Sequence, residues 1–140
     1  MNTLRVLIAA LLACAPFAAS AATLTVKVEN IDKKGGELRL SLYDEALWSN
    51  DNSEPIVSAN VPAVPPETTV TFKDIAPGVY GLKSYQDANR NGKFDQNWLG
   101  WPLERYGFSR DARPRLSEPG FARTKFMLPD VETVLVIHLQ

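Results

Sequence analysis

This sequence of 140 residues contains very little cysteine and histidine, the side chains on which many nucleophilic enzymes and zinc sites depend. Its single cysteine is Cys14, near the start of the chain, and its single histidine is His138, near the end. A hydrolase with a histidine base and a zinc site with several His or Cys ligands are therefore poorly supported. Since one cysteine cannot form a disulfide within the chain, packing must stabilise the fold.

The sequence also lacks any run of like charge. It has 15 basic and 16 acidic residues, which gives a net charge of −1. A nucleic-acid partner would need a basic stripe, and polybasic attachment to a membrane surface would need a basic cluster. The charge pattern therefore predicts neither kind of partner.

The longest apolar run lies at the N-terminus and has the features of a secretory signal peptide. Arg5 supplies a basic start, residues 6–13 form the apolar region, and Ala19-Ser20-Ala21 is a small-x-small cleavage site. The run is too short to span a bilayer. We therefore predict a signal peptide over 1–21 and a periplasmic or secreted domain over 22–140 with no transmembrane segment.

Cys14 leaves a second possibility for the N-terminus. The stretch "LLAC" at 11–14 is close to a lipoprotein cleavage box, in which the cysteine becomes the lipidated first residue. Leu12 is not the usual small or β-branched residue at its position in such a box. Cleavage after Ala21 is thus the main expectation, and a lipoprotein anchored through Cys14 is the alternative.

Period-two alternation of apolar and polar residues dominates the predicted mature chain. It predicts about seven strands, at 24–30, 37–43, 55–61, 68–75, 79–85, 122–128 and 132–140. The two glycines of "IDKKGG" suggest that the first two strands form a hairpin, and residues 45–51 allow one turn of helix at most. This pattern predicts an all-β fold, a single antiparallel β-sandwich of an immunoglobulin-like or transthyretin-like kind.

One long segment, residues 94–120, shows no sustained alternation, and loops of that length are usually functional or separately anchored. We single out five of its residues as a possible partner surface: Trp98, Trp101, Tyr106, Phe108 and Arg113. Exposed aromatic side chains on a sandwich can stack on sugar rings or anchor a protein partner. The commoner arrangement buries them beneath the long loop, and the sequence leaves both open.

The stretch "DANRNGKFDQNW", residues 87–98, begins like a calcium-binding loop. In such a loop, oxygen ligands occupy positions 1, 3, 5, 7 through the backbone, 9 and 12, with glycine at position 6. Gly92 falls at position 6, where the turn requires it. The matching ligand positions are Asp87, Asn89, Asn91, the Lys93 carbonyl and Asp95. Hard oxygen donors at this spacing predict a calcium site.

The end of the stretch departs from that pattern. Position 12 is Trp98, which cannot supply a carboxylate, so Asn97 or the more distant Glu104 would have to complete the ligand shell. With few carboxylates, the expected dissociation constant is on the order of 10⁻⁴ to 10⁻³ M. The alternative is a metal-free polar turn, because Asn-Gly favours tight turns and Asp and Asn side chains cap them.

Carboxylate pairs admit an enzymatic interpretation as well. Asp87 or Asp95 with Glu104 could serve as acid and nucleophile on a glycoside. Any acidic surface loop supplies such pairs, and no catalytic constellation rises above this background. We therefore expect a protein that is not an enzyme.

The run from Phe72 to Pro114 resembles a family of small secreted bacterial proteins known only as a domain of unknown function. The family motifs are F-x-x-[LI]-x-P-G-x-Y, then D-x-N-x-N-G-x-x-D-x-N-x-x-G-x-P, then Y-G-F-S. They are met here by Phe72, Pro77, Gly78, Tyr80, Asp87, Asn89, Asn91, Gly92, Asp95, Asn97, Gly100, Pro102, Tyr106, Gly107, Phe108 and Ser109. Gln86 departs from the family, in which histidine often precedes the aspartate. The resemblance implies a secreted β-sandwich and assigns no reaction or ligand.

Together these observations favour an exported, non-enzymatic binding or structural module with a weak calcium-stabilised loop at 87–97. Its partner would be an unidentified protein or glycan of the cell envelope. The main alternative is a metal-free envelope module that contacts a protein partner, either without an anchor or as a lipoprotein. A glycan-acting enzyme that uses Asp87 or Asp95 with Glu104 is the third hypothesis.

Overall fold

The structure of the protein, a computed structural model, describes residues 20–50 and 52–140. Most of the predicted signal peptide, with Cys14, lies outside the described residues. The described strands are β1 (Ala22–Glu29), β2 (Glu37–Tyr43), β3 (Val57–Pro62), β4 (Glu67–Ile75), β5 (Gly78–Asp87), β6 (Tyr106–Phe108), β7 (Phe126–Leu128) and β8 (Thr133–His138). Two short helices, α1 (Glu45–Trp48) and α2 (Phe121–Thr124), and a 3-10 turn (Ser109–Asp111) complete them.

These strands form two sheets, as expected for a sandwich-like all-β fold. The smaller sheet has the order β4-β1-β8, and the larger has the order β3-β2-β5-β6, with β7 paired to the start of β5. All pairs are antiparallel except β1 with β8. The prediction of an all-β sandwich is confirmed, with short β6 as an additional strand that period-two alternation did not predict.

Alternation along the strands builds the core between the sheets. Inward-facing side chains of β1 and β2 are completely buried, and they meet apolar residues of β4, β5 and β8: Leu24, Val26, Val28, Leu38, Leu40, Leu42, Phe72, Leu82 and Ile137. Polar residues alternate with them and point outward. Burial of this apolar surface is the main source of stability in a domain without disulfides.

The predicted hairpin between the first two strands is wrong. β1 belongs to the smaller sheet and β2 to the larger, so residues 30–36 cross from one sheet to the other. The buried side chain of Gln86 fixes this crossing: its Oε1 accepts from the Asp32 N–H, and its Nε2 donates to the carbonyls of Asp32 and Gly35. Gly36, at φ +89°, lets the crossing pass against the backbone at the end of β5.

A second small core lies beside the first. Trp48 of α1 packs edge-on against Phe121 and is tilted against Phe108, with Ala112 nearby. The Trp48 indole Nε1 donates to the carbonyl of Pro119. The long segment thus contributes Phe108 and Ala112 to a core of its own, and the predicted single helical turn is confirmed as α1. The strand predicted over 122–128 is correct only for 126–128, because residues 121–124 form α2.

Within the described residues, no helix has the length and apolar character needed to cross a membrane.

Candidate functional site

The candidate site begins where β5 ends, at Asp87. From there the chain forms a polar loop, residues 87–93, then a hairpin, residues 94–104, and returns to the larger sheet at β6. A bridge between Gln96 and Pro102 and a hydrogen bond from the Leu103 N–H to the Asp95 carbonyl close the hairpin. The loop is therefore held between two strands of one sheet.

Asp87 is the buried anchor of the loop. Its side chain is 0% exposed. Oδ1 accepts from the Asn91 N–H at 3.0 Å, and Oδ2 accepts from the Gly92 N–H at 2.8 Å and from Arg39 Nε at 3.1 Å. A carboxylate that accepts backbone N–H groups and contacts a guanidinium has the partners that burial of a charge requires.

Glu104 closes the loop from the other side. Its Oε1 accepts from the Ala88 N–H at 2.9 Å, and its Oε2 accepts from the Asp95 N–H at 3.0 Å. One half-buried carboxylate thus joins the start of the loop to the start of the hairpin. The structure brings Glu104 to the loop as predicted, and uses both its oxygens for backbone N–H groups.

Three of the predicted ligands contact one another directly. Asn89 Nδ2 donates to Asp95 Oδ2 at 2.6 Å, and Asn91 Nδ2 donates to both oxygens of Asp95 at 2.9 Å. Meanwhile Asn89 Oδ1 accepts from the Asn91 N–H, and Asn91 Oδ1 accepts from the Lys93 N–H. The predicted spacing therefore places these side chains together.

The donor set suits a hard cation in chemistry, since it consists of carboxylate and amide oxygens. No group of three or more His, Cys, Asp or Glu residues in the described part of the chain is arranged to hold a metal ion. For Asn89 and Asn91 to coordinate a cation beside Asp95, each side-chain amide would have to rotate so that its oxygen, and not its nitrogen, faces Asp95. Such a rotation exchanges the present hydrogen bonds for metal contacts. The calcium site thus stays a prediction.

Asn97 belongs to a different part of the site. Its Oδ1 accepts from the N–H groups of Leu99 and Trp101 at 3.0 Å, and its own N–H donates to the Trp101 carbonyl. It therefore caps the end of the hairpin, on the far side of Asp95 in the chain. Lys93, by contrast, is exposed in the loop itself.

The end of the hairpin, which we call the tip, carries four exposed apolar side chains. Their exposed fractions are Trp98 90%, Leu99 59%, Trp101 67% and Leu103 63%. The expectation that the aromatic residues bury themselves beneath the long loop is wrong for both tryptophans. The cap by Asn97 holds the hairpin in a form that points them outward.

Residues 26–135 match the family described as "Uncharacterized protein conserved in bacteria (DUF2141)". The chain belongs to this family. The matched region runs from β1 to β8 and includes the loop and the tip, so the family resemblance inferred from the sequence motifs is confirmed. No curated protein and no solved structure matches the chain.

Tyr106 and Phe108, the other predicted surface aromatics, lie on the outer face of the larger sheet in this family member. A row of edge-to-face contacts runs through Tyr85, Phe94, Tyr106 and Phe108. These rings line a recess of about 230 Å³, which we call the sheet groove; its other lining residues are Arg39, Ser41, Tyr43, Lys83, Ser84 and Glu118. Burial raises the pKa of Tyr85 above its usual value of 10.0.

Phe94 connects the loop to the sheet groove. It belongs to the 87–97 stretch, and its ring lies 5.4 Å from Tyr85 and 5.6 Å from Tyr106 between centroids. Arg39, the partner of Asp87, lines the same groove. Neither Arg39 nor Phe94 was predicted as a site residue. Strand register decides which side chain of the neighbouring strand reaches Asp87, and register is not visible in the sequence.

Arg113 is exposed and lines a recess together with Asp111 and His138, none of which belongs to the tip. His138 Nδ1 is 2.7 Å from Asp111 Oδ2, and its Nε2 is 3.2 Å from Glu29 Oε2. The hydrogen bond to Asp111, supported by the charges of Asp111 and Glu29, raises the pKa of His138 above 6.5. This cluster joins β1, β8 and the 3-10 turn.

Proposed function

We propose that this chain is an exported, non-enzymatic binding module of the cell envelope, and that its contact surface is the tip formed by Trp98, Leu99, Trp101 and Leu103. The observation that carries the proposal is the exposure of all four side chains on one ordered hairpin. Large apolar side chains that are exposed singly need no explanation, whereas a contiguous group marks an interaction site.

The hydrogen bonds around the tip support a role in display. Glu104 ties the base of the hairpin to the loop, Asp87 ties the loop to β2 through Arg39, and Asn97 caps the end. A contact surface that is ordered before binding loses less conformational entropy when its partner arrives. The network should therefore increase the affinity with which a small contact surface binds its partner.

Calcium fits this role as a stabilising ligand of the loop. Asp87, Asn89, Asn91, Asp95 and the Lys93 carbonyl would supply oxygens, with Asn97 or Glu104 as the predicted completion of the shell. Because Asp87 and Glu104 already accept backbone N–H groups, Asp95 is the carboxylate that a cation would engage first. A metal-free module, in which Asn89 and Asn91 keep their present bonds to Asp95, is the alternative.

The same contacts favour a binding module over a glycosidase. A catalytic acid and a nucleophile must both reach the substrate. Asp87 is fully buried, and both oxygens of Glu104 accept backbone N–H groups. These roles are structural, so we propose no reaction for the loop.

Photo-crosslinking in cells tests the proposed contact surface. A photoreactive phenylalanine analogue replaces Trp98 in the full-length chain, and Val64, an exposed apolar residue on a different turn, serves as the matched control. We expect a crosslinked adduct with an envelope component when the analogue is at position 98 and no adduct when it is at position 64. Equal labelling at both positions, or none at 98, would remove the tip as the contact surface. The N-terminus of the exported protein is determined in the same sample and is expected to be Ala22.

Carbohydrate binding in the sheet groove is a second candidate. Aromatic faces with nearby polar groups are typical of small-ligand sites, and the charges of Arg39 and Lys83 are already paired with Asp87 and Glu118. These features favour a neutral, hydroxylated ring. Saturation-transfer NMR with chitotriose and cellotriose tests this candidate. Signals that vanish in Tyr85→Ala would support it, and the absence of signals with wild-type protein would count against it.

A further inference from the structure

We infer that the tip inserts into the interfacial region of a phospholipid bilayer. This inference rests on the proposed function, since it takes the same tip as the contact surface and names its partner. The partner is the headgroup and upper acyl region of a membrane that faces the exported protein. Four observations about the hairpin distinguish this partner from a protein.

The first observation is the residue composition of the tip. Residues 96–103, "QNWLGWPL", contain no charged side chain. They include two tryptophans, Trp98 and Trp101, and two leucines, Leu99 and Leu103. Tryptophan is enriched at membrane interfaces because its ring is apolar and its indole N–H is polar. A group of two tryptophans and two leucines has the composition of an interfacial anchor.

The second observation concerns the backbone. The N–H groups of Asn97, Leu99, Gly100, Trp101 and Leu103 all donate to acceptors inside the hairpin. Pro102 has no N–H group. A bilayer offers few hydrogen-bond partners below the headgroups, so a segment that enters it must satisfy its donors internally. The Asn97 cap meets this requirement over most of the tip.

The third observation is the direction of the flanking acidic groups. The carboxylates on either side of the tip are Asp95 and Glu104. Asp95 accepts from the amides of Asn89 and Asn91, and Glu104 accepts from two backbone N–H groups. Both are bound back into the loop. The exposed charged residues that flank the tip in sequence are basic, Arg90 and Lys93 before it and Arg105 after it.

Arg90 and Lys93 form no ion pair within residues 20–50 and 52–140, while Arg105 pairs with Asp32 at 3.5 Å. Basic side chains beside an apolar insertion complement anionic lipid headgroups. The attraction is modest, since the chain as a whole carries a net charge of −1. Apolar insertion is therefore the main expected contribution to binding.

The fourth observation is size. A large aromatic side chain offers about 150–250 Å² of surface, and because the four tip side chains are only partly exposed, together they offer roughly 600 Å². A stable protein–protein interface takes about 800 Å² from each partner. A bilayer has no such threshold, because each inserted side chain contributes independently.

Vesicle binding tests the inference with residues 22–140, which contain every described strand and both apolar cores. The probe is a vesicle of phosphatidylethanolamine and phosphatidylglycerol. A second set of vesicles has the same composition but contains lipids that are brominated on the acyl chain. We expect the tryptophan emission to shift to shorter wavelength and to be quenched by bromine. Trp98→Ala/Trp101→Ala keeps only the buried Trp48 and so loses the fluorescent reporters, and its binding is therefore compared with that of the wild type by co-sedimentation with the vesicles. We expect its partition coefficient to be lowered by roughly tenfold for each side chain removed.

Val64→Ala is the matched control, because Val64 is exposed to a similar degree away from the tip, and it should bind as the wild type does. Melting curves of all three proteins establish that each is folded. Failure of the wild type to bind vesicles, or equal binding by the double variant, would overturn the inference. If vesicles do not bind while position 98 still crosslinks to a protein in cells, the bilayer is excluded and the tip keeps its proposed role.

Discussion

Arg39 on β2 reaches across the larger sheet to Asp87 at the end of β5, with its Nε 3.1 Å from Asp87 Oδ2. The two residues do not lie opposite each other in the ladder, where Arg39 pairs with Tyr85 and Asp87 with Glu37. The guanidinium instead bridges diagonally and also holds Glu37 at 2.7 Å. One arginine thus connects the buried carboxylate of the loop to the outer face of the sheet.

Replacement of Asp87 by Asn should destabilise the domain. The amide keeps one acceptor for the N–H groups of Asn91 and Gly92, but it removes the charge beside Arg39. Breaking a buried pair costs about 3–5 kcal/mol, and because Arg39 is partly exposed we expect about 2–3 kcal/mol here. Urea unfolding measures the loss, with Asp130→Asn at an exposed turn as the control. Equal midpoints for the two variants would mean that Asp87 does not anchor the loop.

Glu104→Gln separates a structural role from a catalytic one. Glutamine offers one acceptor oxygen where glutamate offers two, so either the Ala88 or the Asp95 N–H loses its partner. The expected loss in free energy of unfolding is about 1–2 kcal/mol. Glu132→Gln, at an exposed position, should change little. An unaltered melting temperature in Glu104→Gln would contradict the structural assignment.

Alanine substitutions at two glycines with positive φ, Gly36 and Gly100, distinguish the cost of a steric clash from the cost of an unfavourable backbone conformation. An added Cβ at Gly36 would lie 2.3 Å from the Asp87 carbonyl oxygen, whereas at Gly100 it would meet nothing within 4 Å. Gly100→Ala should therefore cost only the conformational penalty, about 1–2 kcal/mol. Gly36→Ala should cost about 2–4 kcal/mol because backbone must also move. Similar losses measured by thermal melting would mean that residues 30–36 do not pack against the loop as described.

The His138 cluster predicts a pH dependence of stability. The folded pKa of His138 is raised by Asp111 and Glu29, so its contribution is fully present below the unfolded value of about 6.5 and is lost as the pH rises through the folded pKa. The melting temperature of wild type relative to His138→Gln should fall as the pH rises above about 6.5. If the difference in melting temperature between the wild type and His138→Gln did not change with pH, protonation of His138 would not contribute to stability.

Alternation in the sequence predicted the faces of most strands but not which sheet each strand joins. β1 and β2 show the same pattern and belong to different sheets, because the buried amide of Gln86 and the conformation of Gly36 direct the link between them. β6 has three residues, too few for a period to be visible. Residues 122–124 were included in a predicted strand but belong to α2, where Thr124 is buried and its carbonyl accepts from Ser109 Oγ.

The loop was more predictable than its surroundings, because its contacts are local. The spacing of Asn89, Asn91 and Asp95 was sufficient to bring these three side chains together, and Asp87 accepts from the backbone of the same loop. Arg39 is distant in sequence and depends on strand register. The outward direction of Trp98 and Trp101 depends on the Asn97 cap, whereas residue type alone favours burial of both.

Thermal melting of residues 22–140 in EDTA and across a calcium titration tests the proposed loop most directly. The matched variant is Asp95→Asn, which preserves shape at the half-buried carboxylate nearest the two amides. At calcium about ten to a hundred times its dissociation constant, linkage predicts a stabilisation of about 1.4–2.7 kcal/mol in wild type and little in Asp95→Asn. A melting temperature that does not change with calcium up to roughly ten times the expected 10⁻³ M dissociation constant would contradict the calcium site and leave 87–97 as a hydrogen-bonded turn.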